Sequence, residues 1–355
     1  MKKILFCFFL SMVAANVLAC TGITLRTSQG STVVARTIEW GDSYLDGHYV
    51  VVPRGYTQRA MLPDGSKGMK FSAEYGYVGL TAQMDENVVE GINEAGLSAG
   101  LFFFPRYGKY TGYADSIKNS CLIDIQLVSY ILGKCRTIAD VKSAVASIHV
   151  IGFSDAAPTS HWRFTDASGK QVVLEYKNGE AYFYDNDLGI LTNSPDFLWH
   201  VNNLNNYVNL YPGAADPNEL GNIKLTQFGA GGKMLGLPGD ITPPSRFVRA
   251  AFFTHTSPVP QTTAKAVTQA FHILNNFDIP IGLEFAKGQA VPDMQSATQW
   301  TSATDIDNRV IYFRTMYNSN IRAIDLGEID FKKVKFLSVA MDATKEQPIE
   351  WIEVN

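Results

Sequence analysis

Residues 20–40 read CTGITLRTSQGSTVVARTIEW, and this stretch determines how the chain begins to fold. The segment from Thr21 to Arg26 alternates as a strand does, Ser28-Gln29-Gly30-Ser31 has the composition of a turn, and the alternation resumes from Thr32 to Ile38. This pattern predicts a β-hairpin. Its return strand brings Arg36 back beside the start of the first strand.

The residues before this hairpin have the composition of a secretory signal peptide. Lys2 and Lys3 precede an apolar run from Ile4 to Leu10, and small residues lead to Val17-Leu18-Ala19. A bilayer requires about 20 apolar residues, which neither this run nor any later segment supplies. We therefore expect residues 1–19 to be removed. The mature protein is expected to be exported, either periplasmic or secreted, without stable membrane insertion.

Composition and charge exclude several classes of function. The 355 residues are 46% hydrophobic, which is enough apolar material for a substantial core. The formal charge is -4, and it becomes -6 once Lys2 and Lys3 leave with the leader, with 28 basic against 34 acidic residues. Because no Lys and Arg cluster forms a basic patch, we expect no nucleic-acid partner.

Cysteine usage does not suggest a disulfide framework. Of the four cysteines, Cys7 leaves with the leader, and Cys20, Cys121 and Cys135 remain. We expect Cys121 and Cys135 to be buried free thiols, although the sequence alone also allows a bridge between them.

The remaining patterns predict two groups of strands separated by helices. Helices are expected over Ser116–Leu132 with Gly133 as its stop, after Thr137 as an N-cap with Asp140 three residues on, and over Thr263–Asn275. Further strands are expected at Tyr49–Pro53, Val88–Ile92, Leu97–Leu101, four times within His161–Thr192, and at Thr298–Ser302, Val310–Met316 and Ile321–Ile324, with an irregular connection over Leu204–Pro244. Such grouping favours one α+β layered domain over residues 20–355.

The position of Cys20 suggests chemistry. If cleavage follows Ala19, the thiol and a free α-amine belong to the same residue. An α-amine has a pKa of about 7.7 to 8.0, so it can act as a general base for the thiol near neutral pH. A nearby cation such as Arg36 would lower the thiol pKa further.

Val17-Leu18-Ala19-Cys20 also resembles a bacterial lipobox, in which the sulfur carries a diacylglycerol. A thioether cannot attack an amide, so the two interpretations exclude each other. A lipoprotein usually has a polar tether after its cysteine, whereas here a strand follows at once. The local sequence leaves both interpretations open, with a lipid-anchored binding protein as the alternative to an enzyme.

The rest of the chain resembles the choloylglycine hydrolase family, which includes bile salt hydrolases and penicillin V acylases. The matching segments occur in the family's order: Cys20-Thr21-Gly22, Arg36-Thr37-Ile38-Glu39-Trp40, Pro53-Arg54-Gly55, Gly91-Ile92-Asn93-Glu94-Ala95-Gly96-Leu97, Leu191-Thr192-Asn193-Ser194-Pro195, Leu237-Pro238-Gly239-Asp240 and Ser245-Arg246-Phe247. This resemblance implies an amino-terminal-nucleophile hydrolase with a four-layer αββα sandwich, no metal and no cofactor, and a homotetramer.

The resemblance also implies roles for individual residues. Cys20 would be the nucleophile and, through its amine, the base. Arg36 and Arg246 would keep its surroundings electropositive, and Asn193 would donate its side-chain amide to the tetrahedral oxyanion. Glu39 stands where most members have Asp, so its carboxylate reaches about one methylene further when it orients the amine.

A second departure lies at Phe103, which aligns with a position that is Asn in many bile salt hydrolases and Tyr in penicillin V acylases. Its backbone N–H can still serve the oxyanion, but its side chain cannot donate to substrate.

The resemblance implies a conjugated bile salt as the substrate, and aromatic residues could receive it. Phe102, Phe104, Tyr107 and Trp199 are expected to line a pocket for the apolar body of a glycine- or taurine-conjugated bile salt. The alternatives are core packing of the phenylalanines, a penicillin V acylase, or an N-acyl-homoserine lactone acylase.

Overall fold

A computed structural model describes residues 19–40, 45–154, 157–283, 285, 287–288 and 297–354. The predicted signal peptide therefore lies outside the described residues, except for Ala19. The strands, in chain order, are β1 (Ala19–Arg26), β2 (Thr32–Trp40), β3 (His48–Val52), β4 (Thr57–Met61), β5 (Lys67–Ser72), β6 (Tyr77–Ala82), β7 (Met84–Asn93), β8 (Ser98–Phe103), β9 (Cys121–Ile123), β10 (His149–Ile151), β11 (Ser160–Thr165), β12 (Gln171–Lys177), β13 (Glu180–Asp185), β14 (Asn218–Leu220), β15 (Ile223–Leu225), β16 (Ala297–Asp305), β17 (Val310–Thr315), β18 (Arg322–Asp325) and β19 (Leu337–Ala340). The α-helices are α1 (Leu127–Lys134), α2 (Ile138–Ala146), α3 (Phe197–Asn203), α4 (Pro243–Thr256) and α5 (Thr263–Leu274). Short 3₁₀ helices cover Asp115–Ser120, Asp124–Gln126, Leu204–Tyr207, Gly232–Met234, Asn275–Phe277 and Leu326–Glu328.

Two β-sheets face each other between layers of helices. One sheet has the strand order β1-β2-β16-β17-β18, and the other has the order β13-β12-β11-β8-β7-β6-β3-β19. Helices α4 and α5 pack on the first sheet, and α1 and α2 pack on the second. Apolar side chains of both sheets share one core, and a second core lies between the larger sheet and α1 and α2. The predicted α+β sandwich of four layers, αββα, is therefore confirmed.

Among the described residues, no helix has both the length and the apolar character that crossing a bilayer requires.

Several local predictions are confirmed. Strands β1 and β2 form the predicted hairpin, with Cys20 opposite Ile38. Helix α2 begins with a capping box, in which the Thr137 hydroxyl accepts from the Asp140 backbone and the Asp140 carboxylate accepts from the Thr137 backbone. Helix α5 begins at the predicted residue and ends one residue early.

The helix predicted over Ser116–Leu132 is wrong. The chain there forms 3₁₀ turns around strand β9, and α1 starts only at Leu127 and ends at Lys134, one residue beyond the predicted stop. The reason is tertiary, because β9 pairs in parallel with β10 and the Asp124 carboxylate bonds the Tyr110 hydroxyl. Cys121 lies in β9 and Cys135 follows α1. Both are buried and free, as predicted.

Two other regions differ in detail from the sequence patterns. The stretch His161–Thr192 contains three strands, and its last part instead forms an isolated bridge between Leu191 and Gly22. The connection over Leu204–Pro244 is exposed, as expected of an irregular surface segment, but it includes the short hairpin β14–β15. Helices α3 and α4 were not predicted.

Candidate active site

Cys20 lies near the start of β1, where it is 4% exposed. Its sulfur accepts a hydrogen bond from Arg36 Nη2 at 2.7 Å. Burial raises the pKa of the Cys20 thiol, whereas Arg36 and the Phe103 backbone amide favour the thiolate. The hairpin explains this contact, because Arg36 lies opposite Gly22, two residues along β1 from Cys20.

Arg36 is completely buried and is held by backbone carbonyls of the facing sheet. Its Nη1 donates to the Leu101 carbonyl and to the Val89 carbonyl, the latter at 3.2 Å. Its guanidinium lies 4.1 Å from the centre of the Phe102 ring. Its Nε donates to the Thr37 carbonyl at 3.1 Å. These contacts aim the remaining nitrogen, Nη2, at the Cys20 sulfur.

Asn193 binds the backbone nitrogen of Cys20. Its Oδ1 accepts from Cys20 N at 2.9 Å and from Arg246 Nη2 at 2.7 Å, and its Nδ2 donates to the Phe103 carbonyl at 2.8 Å. An amide nitrogen has two protons, so this arrangement leaves one Nδ2 proton for another acceptor. The bridge between Leu191 and Gly22 brings this segment beside β1. A Cβ on Gly22 would lie 2.8 Å from the Phe102 ring, which explains why glycine stands there.

Arg246, on α4, ties the same elements together. It is 1% exposed, and its Nη1 donates to the Cys20 carbonyl and, at 2.8 Å, to the Thr21 hydroxyl. Its Nε donates to the Ile241 carbonyl at 2.8 Å. The guanidinium therefore joins the first strand to the segment that carries Asn193.

Glu39 is fully buried at the end of the hairpin opposite Ala19. Its Oε1 accepts from the Thr298 hydroxyl at 3.0 Å. Burial raises the pKa of Glu39 to about 7, against the opposing effects of Arg246, Thr37, Thr298 and Arg36. The structure thus brings Cys20, Arg36, Glu39, Asn193 and Arg246 together around one strand end, with the Phe103 backbone beside them.

The aromatic residues divide into two groups. Phe102 and Phe104 have no exposed surface, so the prediction that they contact substrate is wrong. Phe102 packs beneath Arg36, and Phe104 stacks on His161 with 4.5 Å between ring centroids. Tyr107 and Trp199, which are 48% and 43% exposed, can contact a substrate.

Two positioning features were missed in the sequence. The sequence pattern predicts only a strand at Thr298, and nothing in its neighbours marks it as the partner of Glu39. The second feature is helix α4. The glycine- and proline-rich composition predicts that Pro243 and Pro244 belong to the preceding connection. In the structure Thr242 is the N-cap of α4, and proline stands at the first helical position. That helix start was the available signal for the placement of Arg246.

The site surrounds one buried thiol with cations and an amide donor, as acyl-transfer chemistry at a cysteine requires. The family described as linear amide C–N hydrolases, choloylglycine hydrolase family, matches residues 20–341. The chain belongs to this family.

Relatives and solved structures similar to this chain align with nearly its whole length. The bile salt hydrolase/transferase of Clostridium perfringens is 30% identical over 325 residues, covering 89% of this chain and 95% of that protein. The bile salt hydrolase/transferase of Lactiplantibacillus plantarum is 32% identical over 327 residues, covering 90% and 96%. A solved variant of conjugated bile acid hydrolase from Clostridium perfringens aligns with a TM-score of 0.78 and 27% identity, covering 94% of this chain and 100% of that one. Penicillin V acylase from Agrobacterium tumefaciens shares the fold, with a TM-score of 0.73, 21% identity and coverage of 91% and 92%.

Proposed function

We propose that the mature chain begins at Cys20 and hydrolyses the amide bond of glycine- or taurine-conjugated bile salts. The observation that carries this proposal is that one residue presents its sulfur to Arg36 at 2.7 Å and its nitrogen to Asn193 at 2.9 Å. The names of the relatives at about 30% identity support the substrate class.

The mechanism starts with proton transfer within Cys20. Its free α-amine takes the thiol proton, and the thiolate adds to the carbonyl carbon of the amide. The Phe103 N–H and the second Nδ2 proton of Asn193 would donate to the oxyanion. Collapse breaks the C–N bond, and the leaving glycine or taurine nitrogen takes the proton held by the α-ammonium.

The second half releases the bile acid. The thioester between Cys20 and the cholyl group is attacked by water, which gives its proton to the α-amine. The C–S bond then breaks, and the departing thiolate recovers that proton. Arg36 stabilises the sulfur anion at both stages because its Nη2 already points at the sulfur.

Tyr107 and Trp199 support an apolar substrate body. Both expose aromatic surface, which suits a steroid, although a phenoxyacetyl or fatty acyl group would also rest on it. Penicillin V and an N-acyl-homoserine lactone therefore belong in the same assay. We expect amino acid release from the bile salt conjugates to exceed cleavage of either alternative.

Location and assembly are part of this proposal. The leader composition supports export to the periplasm or secretion after removal of residues 1–19. Self-association is supported by the connection between Val208 and Leu235, which exposes large apolar side chains, with Val208 77% and Leu235 80% exposed. The proposed number of four subunits follows the family resemblance. Light scattering on the purified protein tests the tetramer, and a monomer would contradict it.

A ninhydrin assay for released glycine or taurine tests the activity directly. No release from either conjugate, with penicillin V cleaved, would reverse the choice of substrate. Cys20→Ser should abolish turnover without changing the thermal midpoint, whereas Cys121→Ala, which removes a buried thiol from the separate β9–β10 sheet, should retain turnover. Turnover by Cys20→Ser would mean that the nucleophile is another residue.

The intact mass should correspond to an unmodified chain that starts at Cys20. A mass increment for diacylglycerol would instead support the anchored alternative, which the buried contact between the sulfur and Arg36 disfavours.

A further inference from the structure

A buried ion pair next to Arg36 joins two strands of the larger sheet that are not neighbours. Glu90 on β7 lies opposite Gly100 on β8, and Gly100 lies opposite Arg163 on β11. Arg163 Nη2 donates to Glu90 Oε1 at 2.6 Å, and both side chains are 1% exposed. Strands two apart in a sheet are separated by about 10 Å, so both side chains must reach over the strand between them.

Gly100 makes this reach possible. A Cβ at this position would lie 2.3 Å from Glu90 Oε2, within the space that the carboxylate occupies. The φ angle of Gly100 is not in the left-handed region, so the backbone does not require glycine at this position. The space needed by the Glu90 carboxylate does require it.

Arg36 approaches the same carboxylate from the opposite sheet. Its Nη1 lies 3.7 Å from Glu90 Oε2, while its Nη2 donates to the Cys20 sulfur at 2.7 Å. Phe102 lies between the two arginines, with its ring centre 4.1 Å from the Arg36 guanidinium and 5.8 Å from that of Arg163. Glu90 and a Cys20 thiolate thus compete for the positive charge of Arg36.

Arg163 supplies a second cation beside two neighbouring buried anions. A buried thiolate and the Glu90 carboxylate are two anions, and Arg36 alone can balance one of them. An unpaired buried charge is strongly unfavourable. The other charged groups that face Cys20 are Glu39 on β2, Arg246 on α4 and, in the mature chain, the α-ammonium of Cys20 itself, which is present in every variant compared below. Burial raises the pKa of Glu90, and Arg163 opposes this more than Arg36 does.

We propose that Arg163 is a positioning residue that acts through Glu90: Arg163 holds the Glu90 carboxylate by the closer contact, which leaves the charge of Arg36 available to the Cys20 sulfur. The proposal rests on the proposed function in taking Cys20 as the nucleophile. Its test does not require the substrate to be known.

The test is the pH dependence of iodoacetamide alkylation at Cys20 of the mature protein, measured by mass spectrometry of the amino-terminal peptide. In Arg163→Gln, Glu90 is left with Arg36 as its cation, so the thiol pKa should rise. A rise of one unit lowers the thiolate fraction, and with it the alkylation rate below that pKa, about tenfold. Arg54→Gln is the matched control, because it breaks an exposed arginine–glutamate pair with Glu94 and should leave the rate unchanged.

The double variant Glu90→Gln/Arg163→Gln separates electrostatics from packing. It removes both charges at once, so Arg36 again faces the sulfur alone and the alkylation profile should return to within about twofold of wild type. A merely structural role predicts that the double variant is at least as impaired as Arg163→Gln. That result, or a wild-type alkylation profile in Arg163→Gln, would overturn the proposal.

If Arg163→Gln does not fold, Arg163→Lys and the double variant decide the question. Both should alkylate like wild type, because neither leaves Glu90 with Arg36 as its sole cation, and a tenfold loss in either would overturn the proposal. Where turnover is measurable, kcat should fall in Arg163→Gln with little change in KM. Failure of every amide substrate, together with the expected alkylation pattern, would refute the proposed function and leave this inference standing.

Discussion

The buried carboxyl of Glu39 predicts a specific pH dependence of stability. Burial raises its pKa from an ordinary 4.5 to about 7 in the folded protein, so the folded state keeps a proton that the unfolded chain releases between those two values. The free energy of unfolding must therefore fall as pH rises through this window, since the folded state binds more protons. With about 1.4 kcal/mol for each pKa unit, the full loss is about 3 kcal/mol.

The perturbation is Glu39→Gln, which keeps the side-chain shape and removes the titration. We expect wild type to lose about 2.5 kcal/mol relative to this variant between pH 5 and pH 8. The assay is urea unfolding of a tagged chain that retains Ala19, in which the Cys20 nitrogen is an amide. Glu346→Gln, which removes an exposed carboxyl, is the control and should run parallel to wild type. Parallel curves for wild type and Glu39→Gln would refute the reasoning.

The mature chain should behave differently in the same experiment. Glu39 lies close enough to Cys20 to act electrostatically on its thiol. Removal of Ala19 places a protonated α-amine on the same residue, and a nearby cation favours the ionised carboxylate. The difference between wild type and Glu39→Gln should therefore change less with pH in the mature chain. An equal or larger change would argue that Glu39 does not interact with the amine.

Asn193→Ala should lower kcat by about 10²- to 10³-fold in steady-state assays, the typical cost of losing one oxyanion donor, and an unchanged kcat would contradict that role. Gly22→Ala should reduce the free energy of unfolding by about 1 to 3 kcal/mol, because the new Cβ would lie 2.8 Å from the Phe102 ring, and an unshifted urea midpoint would show that the core yields freely. Thr137→Ala removes the capping box of α2 and should cost about 1 kcal/mol in urea unfolding while turnover is retained, since α2 packs on the outer face of the larger sheet.

Elements with a strong local pattern were predictable. The structure contains three such elements: the β1–β2 hairpin, the start of α2 after its N-cap Thr137, and helix α5. They depend on alternation, capping and amphipathic spacing, respectively, within a few residues. The structure of the segment Ser116–Leu132, in contrast, depends on a distant part of the chain. Its β9 portion is a strand because β10, nearly thirty residues later, supplies the partner. Local preference cannot reveal a partner so distant in the chain.

The same division applies to the candidate site. Sequence alone indicated which residue types matter, because a cysteine at a predicted cleavage junction and an arginine on the return strand are neighbours through one hairpin. Residue patterns by themselves could not place Asn193 and Arg246, which only the family resemblance assigned to the site, because they are 173 and 226 residues from Cys20 in the chain and reach it through a bridge and a helix. Nor could they show that Phe102 supports Arg36 rather than substrate, because facing sheets, not spacing, decide which aromatic rings are covered. Short-range order follows from backbone and side-chain preferences, whereas the competition of Glu90 and Cys20 for Arg36 exists only once two sheets have packed and excluded water.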